Sequence, residues 1–294
     1  MSASTPTSSP ARPEVTWTSG ETRPALGLGT WRLGERRSSH DAEVQGLQRA
    51  MQAGWRVFDS AEMYGDGGAE AVLGEALDGA LKGGLARDDL FVVTKALPQN
   101  ACVDGLLRAC AASLERLRLD QVDLYLLHWR GNVSLVETVR GFEQLQARGW
   151  IRRWGVSNFD LDDMHELHRV PGGKACAVNQ VDYSLAQRGV EFDLLPWMRL
   201  QQMPLMAYCP LDQGALVDHP ALRGLAQRHR STPAKVALAW LLHQPGVMAI
   251  PKAGNPLHLR HNWSAQDLRL SAGDLAELDR SFPPPRSKQP LSVR

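Results

Sequence analysis

The sequence predicts an α/β fold, a (β/α)8 TIM barrel with an N-terminal β-hairpin and extra C-terminal helices. Eight apolar strand patterns recur along the 294 residues, each followed by a helical pattern, at intervals of about 30 residues that suit successive βαβ crossovers. The strands end near Trp31, Ser60, Lys95, Trp129, Ser157, Asp182, Tyr208 and Pro251. An open doubly wound sheet would carry G-x-G-x-x-G after its first strand, but Arg32 occupies the third glycine position after Gly27 and Gly29. Eight units without this fingerprint favour the closed barrel.

A polar stretch and a hairpin precede the barrel. Residues 1–13 are mostly Ser, Thr, Pro and Ala, and we expect them to form a disordered lead. Strand-forming residues at 15–18 and 22–25 flank a Ser19-Gly20 turn, which indicates a short β-hairpin. The first barrel strand follows directly, and we expect residues 14–294 to fold as one domain with a short C-terminal tail.

The apolar positions between the strands follow helical spacing. The positions 103, 106, 107, 110, 111, 114 and 117, for example, form one stripe that can pack on a barrel. Pro233 suits the first turn of a helix, and the prolines at 283–285 end the last one. Helices are predicted to begin near Gly68 and to cover 103–117, 135–148, 191–202, 234–243, 256–262 and 272–282.

The composition is that of a globular protein without a strongly charged partner surface. Apolar residues make up 43% and charged residues 22%, and the formal net charge is only +1. Neither nucleic acid nor a membrane is therefore expected as a partner. No apolar run approaches the ~18 residues of a membrane helix, and residues 1–13 lack a hydrophobic signal core. We expect a cytoplasmic protein that is monomeric or weakly oligomeric.

Neither the cysteines nor the histidines have the spacing of a disulfide framework or a metal site. The cysteines at 102, 110, 176 and 209 are not paired in spacing, which indicates reduced thiols. No neighbouring base would activate Cys209, so we interpret it as a packing residue. His165 and His168 are three residues apart where a zinc H-E-x-x-H motif needs four, and no metal is predicted.

Ionisable residues close three of the predicted strands. Asp59 ends the second strand, Lys95 the third and His128 the fourth, and Tyr64 lies in the loop after Asp59. The carboxyl ends of strands are where α/β folds place chemistry, and a phenol can serve as a proton donor. An Asp and a Tyr at this spacing are, taken alone, equally well explained by a capping carboxylate and a half-buried ring.

Eight motifs follow one another along the chain. They are Asp59, Tyr64, Lys95, His128, Gly155-Val156-Ser157-Asn158, Asn179-Gln180, Tyr208-Cys209-Pro210-Leu211 and Ile250-Pro251-Lys252. In this order they resemble the motifs of the aldo-keto reductase superfamily, and the resemblance covers roughly residues 14–282. It implies NADPH-dependent reduction of aldehydes and ketones to alcohols by hydride transfer. It also implies that the N-terminal hairpin closes the floor of the barrel.

The four ionisable residues have distinct expected roles in such a reaction. Tyr64 would donate a proton to the carbonyl oxygen, and we expect Lys95 to lower the pKa of the Tyr64 phenol, because a nearby cation favours the phenolate. Asp59 would keep Lys95 charged, and His128 would hydrogen-bond the substrate oxygen. The alternative is a structural ion pair beside a satisfied core histidine.

The resemblance also assigns a cofactor site. Ser157, Asn158 and Gln180 would bind the nicotinamide carboxamide, because amide side chains both donate and accept hydrogen bonds, and Tyr208 would stack on the ring. Lys252 matches the lysine that meets the adenosine 2′-phosphate, which favours NADPH over NADH. The other predicted contacts are Gly29, Thr30, Trp31, Asp59, Pro210, Leu211, Gly214, Ile250, Ala253, His258 and Asn262.

The phosphate end of this site departs from the family pattern. His258 and His261 stand where many relatives carry Arg and Glu. The departure bears on how strongly the site discriminates NADPH from NADH, and Arg260 is a nearby cation that would compensate.

The predicted substrate pocket is apolar. Trp31, Met63 and Trp129 follow strands one, two and four beside the proton donor. The tail beyond Phe282 is short, so we expect a wide, permissive mouth. The segments AEMYGDGGAE, LLHWRG and LLPWM most resemble a bacterial branch that includes methylglyoxal reductases, which implies small 2-oxoaldehydes such as methylglyoxal, and aromatic aldehydes, as substrates.

Two functions of other classes stay open at this point. Lys95 would form a Schiff base with a carbonyl substrate in a lyase, although the contexts of Tyr64 and Lys252 disfavour this. A redox-sensing regulatory subunit would bind NADPH and turn over slowly, although an intact set of four ionisable residues disfavours it.

Overall fold

The computed structural model describes residues 12–17, 19–36 and 39–294. Strands β1 (Glu14–Thr16) and β2 (Thr22–Pro24) form the predicted antiparallel hairpin. Most of the predicted disordered lead, residues 1–11, lies outside the described residues. Of the two lead residues inside them, Arg12 lies 4.6 Å over the Trp263 ring, and the Pro13 carbonyl accepts a hydrogen bond from Ala25.

Eight parallel strands form the barrel, each hydrogen-bonded to its neighbours in chain order. They are β3 (Leu28–Gly29), β4 (Val57–Asp59), β5 (Phe91–Ala96), β6 (Val122–Leu127), β7 (Ile151–Ser157), β8 (Asn179–Asp182), β9 (Leu205–Tyr208) and β10 (Val247–Ala249). The ring closes between its first and last strands, where parallel bridges join Leu26 to Ala249 and Gly29 to Lys252. The predicted (β/α)8 barrel is therefore confirmed. β3, β6 and β10 each end two residues before the predicted position, and past the end of β10 the pairing continues as the bridge of Lys252 to Gly29.

Helices alternate with the strands of the barrel, and two more follow its last strand. They are α1 (His40–Gln52), α2 (Gly68–Lys82), α3 (Val103–Leu117), α4 (Leu135–Ala147), α5 (Leu161–Arg169), α6 (Leu194–Leu200), α7 (Pro220–Arg228), α8 (Pro233–Leu242), α9 (Pro256–Trp263) and α10 (Ala272–Ser281). The α3 helix has the predicted bounds. The α6 helix is shorter than predicted, because a separate 3₁₀ turn (Gly189–Glu191) precedes it and Asp193 then caps Leu194. Within the described residues, no helix combines the length and apolarity needed to cross a membrane.

The apolar core has two parts, one inside the barrel and one between the strands and the helices. The inner part contains Val57, Phe91, Val93, Leu124 and Leu126, together with hairpin residues. Trp17 of the hairpin is buried 5.2 Å from the ring of Phe91, so the hairpin fills the barrel floor as the sequence implied. The inner core thus occupies the lower barrel and leaves its upper end to polar residues.

Candidate active site

The alternation of side chains along a strand carries the ionisable residues to the upper end of the barrel. Successive residues of a strand point to opposite faces, so residues two apart share a face. Val57 lies in the inner core, and Asp59 follows two residues later on the same strand. The same step leads from Val93 to Lys95 and from Leu126 to His128. The three polar residues therefore meet above the inner apolar core.

Lys95 is the centre of this group and has no exposed surface. Its ammonium donates to both carboxylate oxygens of Asp59 at 2.9 and 2.8 Å and to the Ser60 carbonyl at 2.7 Å. It also lies 3.4 Å from the hydroxyl of Tyr64. The Gln180 amide donates to Asp59 at 2.8 Å, so the carboxylate is held from two sides. The buried ion pair is thus fully hydrogen-bonded, which a buried charge requires.

The structure reverses the expected direction of the Tyr64 pKa. Burial and then the Asp59 carboxylate raise the pKa of Tyr64 well above its usual value. Burial also lowers the pKa of Lys95, an effect that Asp59 opposes. Burial and the Asp59 charge thus act in the same direction, and both favour the protonated phenol. Tyr64 therefore keeps its proton at physiological pH and is suited to donate it.

His128 is neutral in this site. Burial, and then the charge of Lys95, lowers its pKa to about 3. Its ring meets the Tyr64 ring edge-on at 5.7 Å, and its Nδ1 atom has no hydrogen-bond partner among the described residues. A neutral imidazole carries one N–H donor and one acceptor nitrogen, so it can donate to a substrate oxygen without adding a full positive charge.

A cavity of about 830 Å³ opens above these residues, within the range of small-molecule and cofactor sites. Most of the residues that the sequence predicted for catalysis, cofactor or substrate line it. They are Gly29, Trp31, Asp59, Met63, Tyr64, His128, Ser157, Asn158, Gln180, Tyr208, Pro210, Leu211, Gly214, Ile250, Lys252, His258 and Asn262.

The remaining predicted residues lie outside the cavity wall. Lys95 is buried behind Tyr64 and Asp59. Thr30 is buried and its hydroxyl donates to the Asp59 carbonyl at 3.0 Å. Ala253 belongs to the outer apolar core, and Trp129 is half-buried with its ring 4.9 Å from that of His128. Gly29 lines the cavity, and adjacent residues of a strand face opposite sides. Strand alternation therefore predicts that the side chain of Thr30 points away from the cavity.

Sequence reasoning missed several residues that line the cavity, among them Arg32, Gln213, Val217, Thr232 and Arg294. Pro233 correctly predicted where α8 begins, but it did not indicate that this end of the helix lines the cavity. The short tail, from which we expected a wide, permissive mouth, brings Arg294 to the cavity wall. No local pattern marks this return.

The two ends of the cavity differ in chemistry. Near the catalytic group, the Tyr208 hydroxyl donates to the Asn158 amide oxygen at 2.8 Å, and the Ser157 hydroxyl donates to the Gln180 carbonyl at 2.8 Å. At the side formed by β10, α8 and α9, Lys252 and two histidines line the wall beside the N-terminus of α8. The donor set fits a ligand that carries a flat amide-bearing ring at one end and an anionic group at the other.

The remaining histidines and cysteines form no second reactive centre among the described residues. No three His, Cys, Asp or Glu side chains converge there as metal ligands. His165 and His168 instead pack against Trp197, with ring distances of 5.5 and 4.8 Å. Cys209 lines the cavity, but burial raises the pKa of its thiol to about 11, which disfavours the reactive thiolate.

Comparison with known proteins places this geometry in a family. The Aldo/keto reductase family matches residues 25–282. Methylglyoxal reductase YeaE of Escherichia coli (strain K12) is 46% identical over 275 residues, which is 92% of this chain and 95% of that protein. Glyoxal reductase of Bacillus subtilis (strain 168) is 32% identical over 260 residues and covers 88% and 89% of the two chains.

A solved structure agrees closely with the fold. A crystal structure of an aldo/keto reductase from Klebsiella pneumoniae in complex with NADP and acetate superposes with a TM-score of 0.92 at 45% identity. The match covers 97% of this chain and 100% of that one. With a family match over residues 25–282 and a relative 46% identical over most of both chains, this chain belongs to the aldo/keto reductase family of oxidoreductases.

Proposed function

We propose that the protein reduces aldehydes and ketones to alcohols with NADPH, and that Tyr64 is the proton donor. The observation that carries this proposal is the position of Tyr64, which lines the cavity with the Lys95–Asp59 ion pair behind it and His128 beside it.

The proton transfer is favourable even though the pKa of Tyr64 is raised. When bound, the reduced nicotinamide supplies the hydride to the carbonyl carbon. Tyr64 gives its proton to the carbonyl oxygen, where an alkoxide would otherwise form, and an alkoxide is more basic than a phenolate. Lys95, 3.4 Å from the phenol oxygen, stabilises the phenolate that remains. Tyr64 then recovers a proton from solvent through the open side of the cavity.

His128 orients the carbonyl group. A neutral imidazole N–H can donate to the carbonyl oxygen and polarise it, while the proton that is transferred comes from Tyr64. Because the pKa of His128 is about 3, this donor keeps the same charge through the physiological range.

The cavity chemistry supports NADPH as the reductant. Asn158 and Gln180 offer amide groups for a carboxamide, and Tyr208 offers a ring for the nicotinamide. Lys252 and the N-terminus of α8 offer positive charge for a phosphate, and His258 offers a ring nitrogen as a hydrogen-bond donor. The Klebsiella relative was crystallised with NADP, and a further structure of a Klebsiella enzyme contains NADPH.

We propose small 2-oxoaldehydes such as methylglyoxal, and aromatic aldehydes, as substrates. Relatives named methylglyoxal reductase and glyoxal reductase support the first class. Trp31 and Met63 on the cavity wall support the second, because they offer apolar and aromatic surface next to Tyr64.

A carbonyl panel assayed with NADPH tests the proposal. Methylglyoxal and an aromatic aldehyde should each be reduced over many turnovers, with the alcohol as product. A single turnover without recycling would favour the redox sensor. Borohydride should trap no substrate on Lys95, because its ammonium is buried and donates to three oxygens. A covalent adduct on Lys95 would favour the lyase and contradict the proposed reductase.

A further inference from the structure

The last residues of the sequence return to the mouth of the cavity and are fixed there. Lys288 donates to Asp162 at 2.8 Å, and Ser292 donates to Asp182 at 2.8 Å. The Nε of Arg294 pairs with the same carboxylate of Asp182 at 3.0 Å. Residues 283–294 therefore form a tail that is attached to the barrel at more than one point.

Arg294 joins two elements on either side of the cofactor site. Asp182 is the fully buried last residue of β8, and Asp212 lies in the loop that follows β9. The Arg294 guanidinium pairs with both carboxylates and is itself 27% exposed. One cation between two acids, one of them buried, is held more firmly than a typical surface pair.

The loop that Arg294 holds has an unfavourable backbone. Cys209, Asp212 and Gln213 have positive φ angles of 48°, 49° and 53°, which residues with a Cβ rarely adopt. Such conformations persist where surrounding contacts hold them. Gln213 and the neighbouring Gly214 line the cavity, so the position of this loop defines part of the cofactor wall.

Arg294 also fixes the hydroxyl of Tyr208. The backbone N–H of Arg294 donates to the Tyr208 oxygen at 3.3 Å, and this hydroxyl donates to Asn158 at 2.8 Å. Tyr208 and Asn158 are the residues proposed for the nicotinamide. The tail, the loop and the ring-binding residues thus form one connected set of contacts.

We propose that Arg294 is a positioning residue that retains the cofactor, because it holds both Tyr208 and the 209–214 loop against the site. This inference rests on the proposed use of NADPH. Loss of its pair with Asp212 should free the loop and speed cofactor release.

The competing explanation is that the variants change only the net charge near the cofactor. A substitution of Asp212 distinguishes this electrostatic effect from positioning by Arg294. Arg294→Ala breaks the link but also leaves two acids beside an anionic cofactor. Asp212→Asn breaks the same link and removes a negative charge. Faster release in both variants supports positioning, whereas slower release in Asp212→Asn with faster release in Arg294→Ala would mean electrostatics alone.

The experiment is stopped-flow measurement of NADPH dissociation from the full-length chain. Arg294→Ala and Asp212→Asn should release NADPH about 5 to 20 times faster than wild type, and Arg294→Lys by less, because it keeps the charge but not the fork of donors. Arg223→Ala is the matched control, since Arg223 pairs with Asp218, in the same segment that follows β9. Wild-type rates in Arg294→Ala and Asp212→Asn would overturn the inference. Failure of the wild type to bind NADPH would instead overturn the proposed function.

Discussion

The two ends of the cavity are built on opposite physical principles. At the end proposed for catalysis, the catalytic end, Lys95 and Asp59 are buried, and each charged atom has partners within 3 Å. At the end proposed for the cofactor phosphate, the phosphate end, Lys252 and His258 are exposed and follow the last barrel strand. Burial at the first end shifts pKa values and fixes geometry, whereas solvent screens the charges at the second. The comparison predicts large effects of substitution at the catalytic end and modest, ligand-specific effects at the phosphate end.

Removal of the Tyr64 hydroxyl should give the largest loss of turnover of all the substitutions. It therefore tests most sharply the contrast between the two ends of the cavity. We expect Tyr64→Phe to reduce turnover about 10²- to 10⁴-fold, the usual contribution of a general acid. NADPH affinity should stay near that of the wild type, because the ring remains. Single-turnover kinetics and fluorescence titration of NADPH would measure the two quantities. Near wild-type reduction of methylglyoxal by Tyr64→Phe would remove Tyr64 from the mechanism.

The next largest effect is expected for Lys95. It tests whether the Lys95–Asp59 ion pair contributes to catalysis or only to the stability of the fold. Lys95→Met should destabilise the fold by about 3 to 5 kcal/mol, because it leaves the Asp59 carboxylate buried without its cation. Lys95→Met with Asp59→Asn should recover much of this stability but not the turnover. Urea unfolding and steady-state kinetics on both variants would measure this. Recovery of turnover in the double variant would show that the pair is structural, as the alternative interpretation of these residues holds.

The sequence predicted that Asp59, Lys95 and His128 lie together at one end of the barrel, because strand alternation is a strong local rule. Once Val57, Val93 and Leu126 are assigned to the barrel interior, Asp59, Lys95 and His128 must follow at its upper end. The direction of the Tyr64 pKa was wrong because it depends on burial, a property of the whole fold. Arg294 was missed for a related reason, since a tail that crosses the barrel is fixed by contacts with residues about 80 to 110 positions away.

The pKa of His128 predicts a stability effect in acid. Its pKa is lowered to about 3, whereas an unfolded histidine titrates near 6.5. Below pH 6.5 the unfolded chain therefore binds a proton that the folded chain does not, and stability falls as pH falls. The contribution is up to about 1.4 kcal/mol per pH unit between pH 6 and 4.

Urea unfolding of wild type and His128→Gln at pH 7, 5.5 and 4.5 isolates this contribution from other groups. The wild type should lose stability more steeply than the variant. Parallel losses would mean that His128 is protonated in the folded state and would weaken its assignment as a neutral donor.

At the phosphate end, Lys252→Ala should affect one cofactor only. We expect NADPH affinity to fall by about 1.5 kcal/mol, the lower end for a hydrogen bond to a charged group, because Lys252 is exposed. This corresponds to roughly a tenfold rise in Kd. NADH lacks the 2′-phosphate and should bind nearly as in the wild type. Equal losses for both cofactors would contradict the assignment of Lys252 to the phosphate.

The smallest predicted effect concerns His258, where this chain departs from its relatives. Imidazole side chains change charge between pH 5 and 8, and a phosphate dianion favours the charged form. NADPH should therefore bind more tightly as pH falls from about 8 to 6.5, by about 0.2 to 1 kcal/mol, the range for an exposed ion pair. Protonation of the phosphate itself, near pH 6, sets the lower limit of this window.

Fluorescence titrations of NADPH and NADH across this window would test the histidine. The tightening should occur for NADPH, be absent for NADH, and diminish in His258→Gln. His165→Gln is the matched control, because His165 packs against Trp197 and does not line the cavity. If His258→Gln keeps the wild-type pH profile while His261→Gln loses it, the second histidine of the cavity wall is the one that meets the phosphate. If neither variant changes the pH profile of NADPH binding, the phosphate end distinguishes NADPH from NADH through Lys252 and the N-terminus of α8. The charges of these two groups do not change in this pH range.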